Sequence, residues 1–430
     1  MNTSLRTIAV DLTPMLPGGE NGGAKIVVLE LLRRLAIMAP HTQFVLLTQA
    51  ASHEELATLD RTNMRRLMVI APAVAESLRS RLAGLASLVL PHLPARLRHT
   101  FSRVGYHLNL MLKRSTSKAL LRDLGADLLF CPFTAPTYFE PGIPTVCTIH
   151  DLQYKTYPEY FTAEDIAHRD RSFAEACRRA RVLTAISDYS RDSAIFHGKL
   201  DPERIRTIHH RTAQRVASQT EHDQSVLKRL GLAPRRYLMY PANFWQHKNH
   251  EMLLTAFGVA RSSGLPPDIR LVCTGSPGAR QERLIRTARI MNLADHVLFP
   301  GYLPNAELAA LLTHCNGMVF PSLYEGFGLP VIEAMAAGIP VACSNITSLP
   351  EVTGDAAILF DPRSPSQIAH AILSLVQDEM LRARLIEAGL QRANEFSDTE
   401  RMAREYWDLF QYAVTDEKPG SIMTDRSVPA

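Results

Sequence analysis

Short apolar runs alternate with amphipathic, helix-like segments along most of the chain. This alternation is typical of α/β folds, in which buried parallel strands are connected by helices. The apolar stripe from Ala24 to Met38 predicts a helix after the first run. The strand-like runs are TIAVDL, FVLL, RLMVI, DLLFCP, PTVCTIHD and RVLTAIS in the first half, and YLMYPA, IRLVCTG, HVLFPG, GMVFPS and IPVACS in the second. The pattern therefore predicts two α/β units.

A polar stretch without a strand pattern separates the two series of runs. We place the domain boundary there, which gives an N-terminal domain of residues 1–212 and a C-terminal domain of residues 213–397. The segment DTERMAREYWDLFQYA then predicts an amphipathic helix with Asp398 as its N-cap, and we assign residues 398–415 to it. Residues 416–430 are polar and patternless, so we expect them to be disordered.

Composition narrows the class of protein. The chain of 430 residues is 46% hydrophobic and 21% charged, a balance that excludes wholesale disorder. A net charge of only +4 gives no support for nucleic-acid binding. The six cysteines form no C-x-x-C pair and lie mostly in apolar runs, which favours buried thiols over a disulfide or zinc framework. With no signal peptide or membrane span recognised, we expect a cytoplasmic protein whose membrane contact is peripheral.

The segment 72–122 is basic and Leu-rich, with nine Lys or Arg residues and a single Glu. Basic amphipathic helices of this kind bind anionic lipid, so the segment is a candidate contact with the inner face of the cytoplasmic membrane. The alternative is a helical insertion in the N-terminal domain whose basic side chains are simply solvated. The sequence leaves both interpretations open.

The strongest chemical signal is PSLYEGFGLPVIEAMAAGIPVACSN, in which a strand leads through a Gly-containing loop into a helix near Pro330. Glycines let a ligand approach the main chain, and the free N–H groups at a helix start suit a phosphate. Glu325 before the helix and Glu333 within it could hold sugar or ribose hydroxyls. Alternatively, Gly326 and Gly328 only turn the chain while both carboxylates face solvent.

The spacing of Glu325 and Glu333 around G-F-G-L-P resembles the E-x7-E signature of retaining glycosyltransferases of family 4. The segments YPANFWQHKNHEMLLTAF, GYLPNAELAALL and SLPEVTGDAAILFDP are similar to the same family. The resemblance implies an α/β chain with the GT-B fold. In that fold, two Rossmann-like domains face each other across a cleft, and a C-terminal helix crosses back to the N-terminal domain.

The resemblance also implies roles for the residues of this loop. Glu325 would hydrogen-bond hydroxyls of the donor sugar. The main chain of Phe327, Gly328 and Leu329 would contact the sugar and the diphosphate. Glu333 would hold the nucleotide ribose.

Lys248, in WQHKN, matches the family's lysine that neutralises the departing diphosphate. The family usually places an Arg five or six residues earlier, where this chain has Asn243. An amide donates a hydrogen bond but carries no charge, so it cannot replace a guanidinium. Either His247 or another cation compensates, or phosphate binding is weaker than usual.

Two further segments match cleft elements of the family. Gly22 and Gly23, which open the first helix, would bring N–H groups to the diphosphate; a surface loop is the alternative. His150 ends a buried strand in TIHDL and would sit beside the donor sugar and phosphate. Ser187 is a candidate N-cap or substrate contact. We assign no role to the pair of histidines in RTIHHRTA.

The segments HDLQYKTYPEYF and YPANFWQHKNH are similar to bacterial mannosyltransferases of cell-surface polysaccharide assembly. The implied reaction moves a hexose, best matched by mannose from GDP-mannose, to a hydroxyl of a glycan or polyprenyl-linked acceptor. The anomeric configuration is kept, no carboxylate acts as nucleophile, and no metal or other cofactor is required. Three alternatives remain: a UDP-sugar-dependent transferase of the same family, a nucleotide-sugar 2-epimerase, and a non-catalytic GT-B scaffold subunit. Asn243, in place of the family's arginine, is the feature that supports the scaffold.

Overall fold

The computed structural model describes residues 5–18, 22–70, 119–212 and 225–415. The strands in these ranges are β1 (Thr7–Asp11), β2 (Gln43–Gln49), β3 (Met64–Ile70), β4 (Leu128–Cys131), β5 (Thr145–Ile149), β6 (Val182–Ala185), β7 (Ile205–Thr207), β8 (Tyr237–Pro241), β9 (Arg270–Thr274), β10 (Val297–Gly301), β11 (Gly317–Phe320), β12 (Val341–Ser344) and β13 (Ala357–Phe360). The helices are α1 (Gly22–Met38), α2 (Ala50–His53), α3 (Leu120–Asp123), α4 (Gln153–Thr156), α5 (Ala163–Arg179), α6 (Asp188–Gly198), α7 (Ser225–Arg229), α8 (His250–Ser262), α9 (Ala279–Ile290), α10 (Asn305–His314), α11 (Leu329–Ala336), α12 (Leu349–Thr353), α13 (Pro365–Gln377), α14 (Glu379–Glu395) and α15 (Thr399–Val414).

These strands form two sheets. The first has the order β3-β2-β1-β4-β5-β6-β7, and the second has the order β10-β9-β8-β11-β12-β13. All five strand pairs of the second sheet are parallel. In each sheet the chain starts at a central strand, adds strands toward one edge, and then returns to the centre to add strands toward the other edge. Ligand groups are expected beyond the carboxyl ends of the central strands, where the strand order changes direction.

Continuous apolar runs account for most of these strands, because a parallel sheet covered by helices is buried on both faces. Every residue of β4, β5, β6, β11 and β12 is buried. The sequence analysis missed β7 and β13, the last strand of each sheet. β7 (IRT) is a three-residue edge strand with no apolar run to reveal it. β13 (AILF) is an apolar run that the sequence analysis did not recognise as a strand.

The described chain divides into two compact units. The first comprises the described residues within Met1–Thr148, Ser172–Leu183 and Ala403–Ala430, and the second those within Ile149–Arg171 and Thr184–Met402. The second unit therefore contains all of the predicted site residues except Gly22 and Gly23.

Some predictions fall outside the described residues. These are residues 72–118 of the basic segment, residues 213–224 at the predicted domain boundary, and the tail 416–430. None of the helices in the described ranges is long and apolar enough to cross a lipid bilayer.

The C-terminal helix α15 brings the chain back to the first unit. Its start is capped as predicted, because the N–H of Arg401 donates to Oδ1 of Asp398 at 2.7 Å. From Ala403 onward its residues belong to the first unit. There the rings of Tyr406 and Phe410 lie 5.5 and 5.0 Å from that of Phe130, which belongs to β4.

Replacing Phe410 with Ala should lower the free energy of unfolding by about 3–5 kcal/mol, because it leaves a cavity beside Phe130. Phe410 is fully buried. Urea unfolding followed by circular dichroism measures the change. The control is Met380→Ala, at a position 86% exposed, which should stay within about 0.5 kcal/mol of the wild type. An unchanged midpoint for Phe410→Ala would contradict this packing.

Candidate functional site

A buried ion pair joins two loops at the carboxyl end of the second sheet. Lys248 ends the 3-10 turn Gln246–Lys248 after β8, and Glu325 lies in the loop after the neighbouring strand β11. Nζ of Lys248 lies 2.6 Å from Oε1 of Glu325, and each side chain is only 11% exposed. The same Nζ lies 5.3 Å from the ring centre of Phe320. The ammonium group is therefore held in place by a carboxylate and an aromatic face.

The main chain at Gly326 is pressed against that of His150. A Cβ at position 326 would lie 2.4 Å from the carbonyl oxygen of His150. The hydroxyl of Ser187 donates to the carbonyl of Gly326 at 2.7 Å, and the hydroxyl of Ser190 donates to the carbonyl of His150 at 3.0 Å. Only glycine fits here, so the predicted close approach at this position is made by the protein's own main chain.

Helix α11 begins directly after this loop, near Pro330 as predicted. Gly328 precedes it with φ of +102°, a conformation that glycine adopts without strain. The hydroxyl of Ser348 lies 3.0 and 3.1 Å from the carbonyl oxygens of Glu325 and Phe327, which fixes the loop from the other side. Pro330 has no N–H, and the N–H of Val331 donates to the carbonyl of Gly328 at 2.9 Å. An anion at this helix start would therefore be bound by the N–H groups of the residues before Pro330.

Glu333 lies within α11 and is half-buried. Because residues four apart lie on one face of a helix, Glu333 shares a face with Leu329 at the helix start. A carboxylate there can accept hydrogen bonds from a diol. Its contact with ribose stays a prediction.

Asn243 anchors a neighbouring loop. Its Oδ1 accepts a hydrogen bond from the N–H of Ser276 at 2.9 Å. A Cβ at Gly275 would lie 2.7 Å from the carbonyl oxygen of Ala242 and 2.9 Å from Cα of Asn243, so the two loops touch through their main chains. Asn243 therefore serves at least to hold the loop that leads into α9.

His247 does not supply the charge that Asn243 lacks. Burial, followed by the positive charge of Lys248, lowers the pKa of His247 to about 3, against a smaller opposing effect of Asp151. The imidazole is consequently neutral at neutral pH.

A row of rings links His150 to Phe327 in the loop before α11. The ring centres of His150 and His210 are 5.6 Å apart, and His210 lies 5.6 Å from Phe327. Burial, with added repulsion from His150 and His209, holds the pKa of His210 well below its usual value. His210 is thus a neutral spacer between two predicted site residues.

His209 points to a different partner, Glu351 of α12. Its Nε2 lies 2.7 Å from Oε1 of Glu351, and the two oxygens of that carboxylate also accept the N–H groups of Asp188 and Tyr189 at 2.7 and 3.1 Å. Glu351 therefore caps the start of α6 from a distant part of the chain.

Asp188, His209 and Glu351 together have the composition of a cation site, since one ligand atom of each lies within 4.8 Å of the others. Protein groups already serve as partners, however. Asp188 accepts hydrogen bonds from Thr207 at 2.6 Å and lies 2.8 Å from Arg191. We interpret the cluster as a structural network.

Gly22 and Gly23 begin α1 in the first unit. Gly22 has φ of +55°, which favours glycine. Nearby, Nζ of Lys25 donates to the carbonyls of Leu16 and Gly18 at 3.0 and 2.9 Å. This lysine therefore ties the preceding loop to the helix. The contact of the two glycines with a diphosphate stays a prediction.

Comparison with known families matches most of the chain to two models. The model described as "Glycosyl transferases group 1" matches residues 227–392, and "Glycosyltransferase Family 4" matches residues 21–210. The chain belongs to the glycosyltransferases.

Two relatives of this glycosyltransferase come from Escherichia coli. O-antigen chain mannosyltransferase B is 32% identical over 257 residues, which cover 59% of the present chain and 66% of the relative. Serotype-specific mannosyltransferase WbdA is 30% identical over 269 residues, which cover 59% of the present chain and 32% of the relative. The match thus spans just under two thirds of the first relative and about a third of the second.

The fold of this glycosyltransferase is GT-B, as the sequence predicted. Anabaena Alr3699/HepE, whose structure holds UDP and glucose, superimposes with a TM-score of 0.67. The superposition covers 94% of the present chain and 99% of HepE at 16% identity, so it bears on the fold alone.

Within the second unit of this glycosyltransferase, the structure brings His150 against the loop of Glu325, Phe327 and Gly328, and pairs Lys248 with Glu325. The sequence analysis missed His209 and His210. Their partners Glu351 and Phe327 lie over a hundred residues further along the chain, and the only signal was the histidine pair itself.

Replacing Gly326 with Ala should destabilise the glycosyltransferase by about 1–3 kcal/mol, because the new methyl group must displace the carbonyl of His150. Thermal unfolding measures this. Gly258→Ala is the matched control, since its Cβ would meet only side chains at 3.8 Å and helix α8 gains a better helix former. Equal stability of the two variants would argue against the close approach.

Replacing Glu351 with Gln should destabilise the protein in a pH-dependent way. Burial alone would raise the pKa of Glu351, but hydrogen bonds from His209, Asp188 and Tyr189 outweigh it and hold the pKa below the ordinary value of 4.5. The wild type's advantage should therefore be full above that value and disappear as the pH falls through the lowered pKa. Denaturant unfolding at about pH 7 and about pH 3 measures it; a constant difference would contradict the prediction.

Proposed function

We propose that this glycosyltransferase moves mannose from GDP-mannose to a hydroxyl of a growing surface glycan carried on a polyprenyl lipid. The buried Lys248–Glu325 pair at the start of α11 is the observation that carries the proposal. The mannosyltransferase names of the E. coli relatives support the choice of sugar and of an O-antigen-like acceptor. The choice of GDP rests on the resemblance of the sequence to mannosyltransferases.

The leaving diphosphate needs positive charge where its negative charge grows. Lys248 has three N–H donors, of which one points to Glu325, so it can also donate to phosphate. The main-chain N–H groups at the start of α11, between Phe327 and Leu329, add a second set of donors with the helix dipole behind them. Together these groups would stabilise the departing nucleotide.

Glu325 would accept hydrogen bonds from donor-sugar hydroxyls. An ionised carboxylate only accepts, and one of its oxygens already receives a bond from Lys248, which leaves the other oxygen for the sugar. The charged pair would thus connect the sugar to the phosphate and fix the angle between them. Glu333 would hold the ribose.

His150 would lie beside the reacting carbon, since its main chain touches Gly326. No carboxylate is assigned as nucleophile. In the proposed reaction the acceptor oxygen attacks from the face that the diphosphate leaves, and the departing phosphate oxygen takes the acceptor proton. The C–O bond to phosphate breaks as the new glycosidic bond forms, so the α configuration is retained. The proposed reaction needs no metal.

A donor panel tests the proposal. Purified protein is incubated with GDP-mannose, UDP-glucose and UDP-galactose, each with and without a polyprenyl-linked mannosyl acceptor. We expect α-linked mannose from GDP-mannose alone, at the same rate in EDTA. Glu325→Gln should reduce transfer about 100-fold or more, since it removes the charge that aligns donor and lysine. The exposed Glu387 serves as control, and Glu387→Gln should transfer at the wild-type rate.

Each alternative gives a different result. Transfer from a UDP-sugar alone would overturn the choice of donor, and a β-linked product would overturn retention. Formation of an epimeric nucleotide sugar without acceptor would identify an epimerase. Wild-type polysaccharide made in cells that carry only Glu325→Gln would favour a non-catalytic subunit.

A further inference from the structure

The diphosphate site of the proposed function has less positive charge than its task requires. Lys248 is paired with Glu325, Asn243 is uncharged, and His247 is neutral at neutral pH. Of these three residues, only Lys248 would therefore offer a cation to a nucleotide diphosphate bound there. A second cation near Lys248 would offset this shortage.

Arg280 lies close to this position, in the first turn of α9. Its Nη2 donates to both carboxylate oxygens of Glu251, at 2.7 and 2.8 Å. Glu251 is in the first turn of α8, three residues after Lys248. The guanidinium and Lys248 also both lower the pKa of His247 and of His250, after the larger effect of burial. Both cations therefore lie within electrostatic reach of the same two imidazoles.

The guanidinium of Arg280 has N–H donors that its hydrogen bonds to Glu251 do not use. Its guanidinium carries five N–H groups, and the hydrogen bonds to Glu251 use only Nη2. The side chain remains 21% exposed, so a ligand can reach part of the guanidinium. Nε itself is buried, so we do not assign it to the ligand.

Asn243 holds the loop that leads to Arg280. The resemblance to family 4 leads one to expect an arginine at position 243, but the asparagine binds the N–H of Ser276 and holds the loop that runs into α9. The close contact between Gly275 and the main chain of Asn243 holds this loop in the same place. The uncharged residue therefore fixes the main chain that carries the arginine.

We propose that Arg280 binds the diphosphate of the nucleotide together with Lys248, so that the cation missing at position 243 is supplied from position 280. The inference rests on the proposed function. Phosphate oxygens would accept from the N–H groups of Nη1, which the hydrogen bonds to Glu251 do not use, while Nη2 keeps Glu251. Arginine suits the task because its guanidinium stays charged and carries several N–H donors, so it can hold Glu251 and phosphate at once.

Titration calorimetry with GDP, UDP and GMP on the full chain tests this inference. Arg280→Gln should weaken binding of the diphosphate that the wild type prefers by roughly 10- to 100-fold, the loss of one or two charge-assisted hydrogen bonds. Binding of GMP, which lacks the second phosphate, should weaken less. Arg280→Lys should restore part of the affinity. Arg283→Gln, at an exposed position on the same helix, should bind as the wild type does.

Glu251→Gln separates ligand binding from a structural role. If Arg280 only holds α8 to α9, this variant should lose diphosphate affinity as Arg280→Gln does, which would overturn the inference. If Arg280 binds phosphate, Glu251→Gln should keep or increase the affinity. Wild-type affinity in an Arg280→Gln protein would overturn the inference alone. A wild type that binds neither GDP nor UDP would overturn the proposed function and the inference with it.

Discussion

The contact between the main chains at Gly326 and His150 is the constraint on which the rest of the site depends. No side chain fits between the two, so backbone atoms position the loop before α11 and the residue that follows β5. Ser187, Ser190 and Ser348 then hydrogen-bond to carbonyls of these segments. A site fixed by main chain loses little conformational entropy when a ligand binds.

Charge in this site is concentrated in few groups. Burial keeps His210, His247 and His250 neutral, so these rings contribute shape rather than charge. The charges near these rings include the Lys248–Glu325 and Arg280–Glu251 pairs. The buried Lys248–Glu325 pair stabilises the fold only weakly, because desolvation opposes the attraction. The Arg280–Glu251 pair adds little for another reason, since its glutamate is 50% exposed and water screens the charges. Their position therefore makes better sense as preparation for an anionic ligand.

Sequence predicted the fold well where burial determines the pattern. The central strands are apolar runs, and helix α1 and the Asp398 cap were recognisable from local signals. Contacts between distant residues had no local signal. The partnership of His209 with Glu351 and the anchoring role of Asn243 depend on how loops meet after folding. Local patterns reveal which residue types are present, and tertiary packing decides which of them act together.

The return of α15 to the first unit affects the order of events during synthesis. Phe130 is made early, whereas Phe410, which covers it, leaves the ribosome after almost the whole second unit. The first unit therefore has to wait with part of its apolar surface uncovered, at the stage when nascent chains are most prone to aggregate. The core of the first unit can therefore be completed only after the second unit has been synthesised.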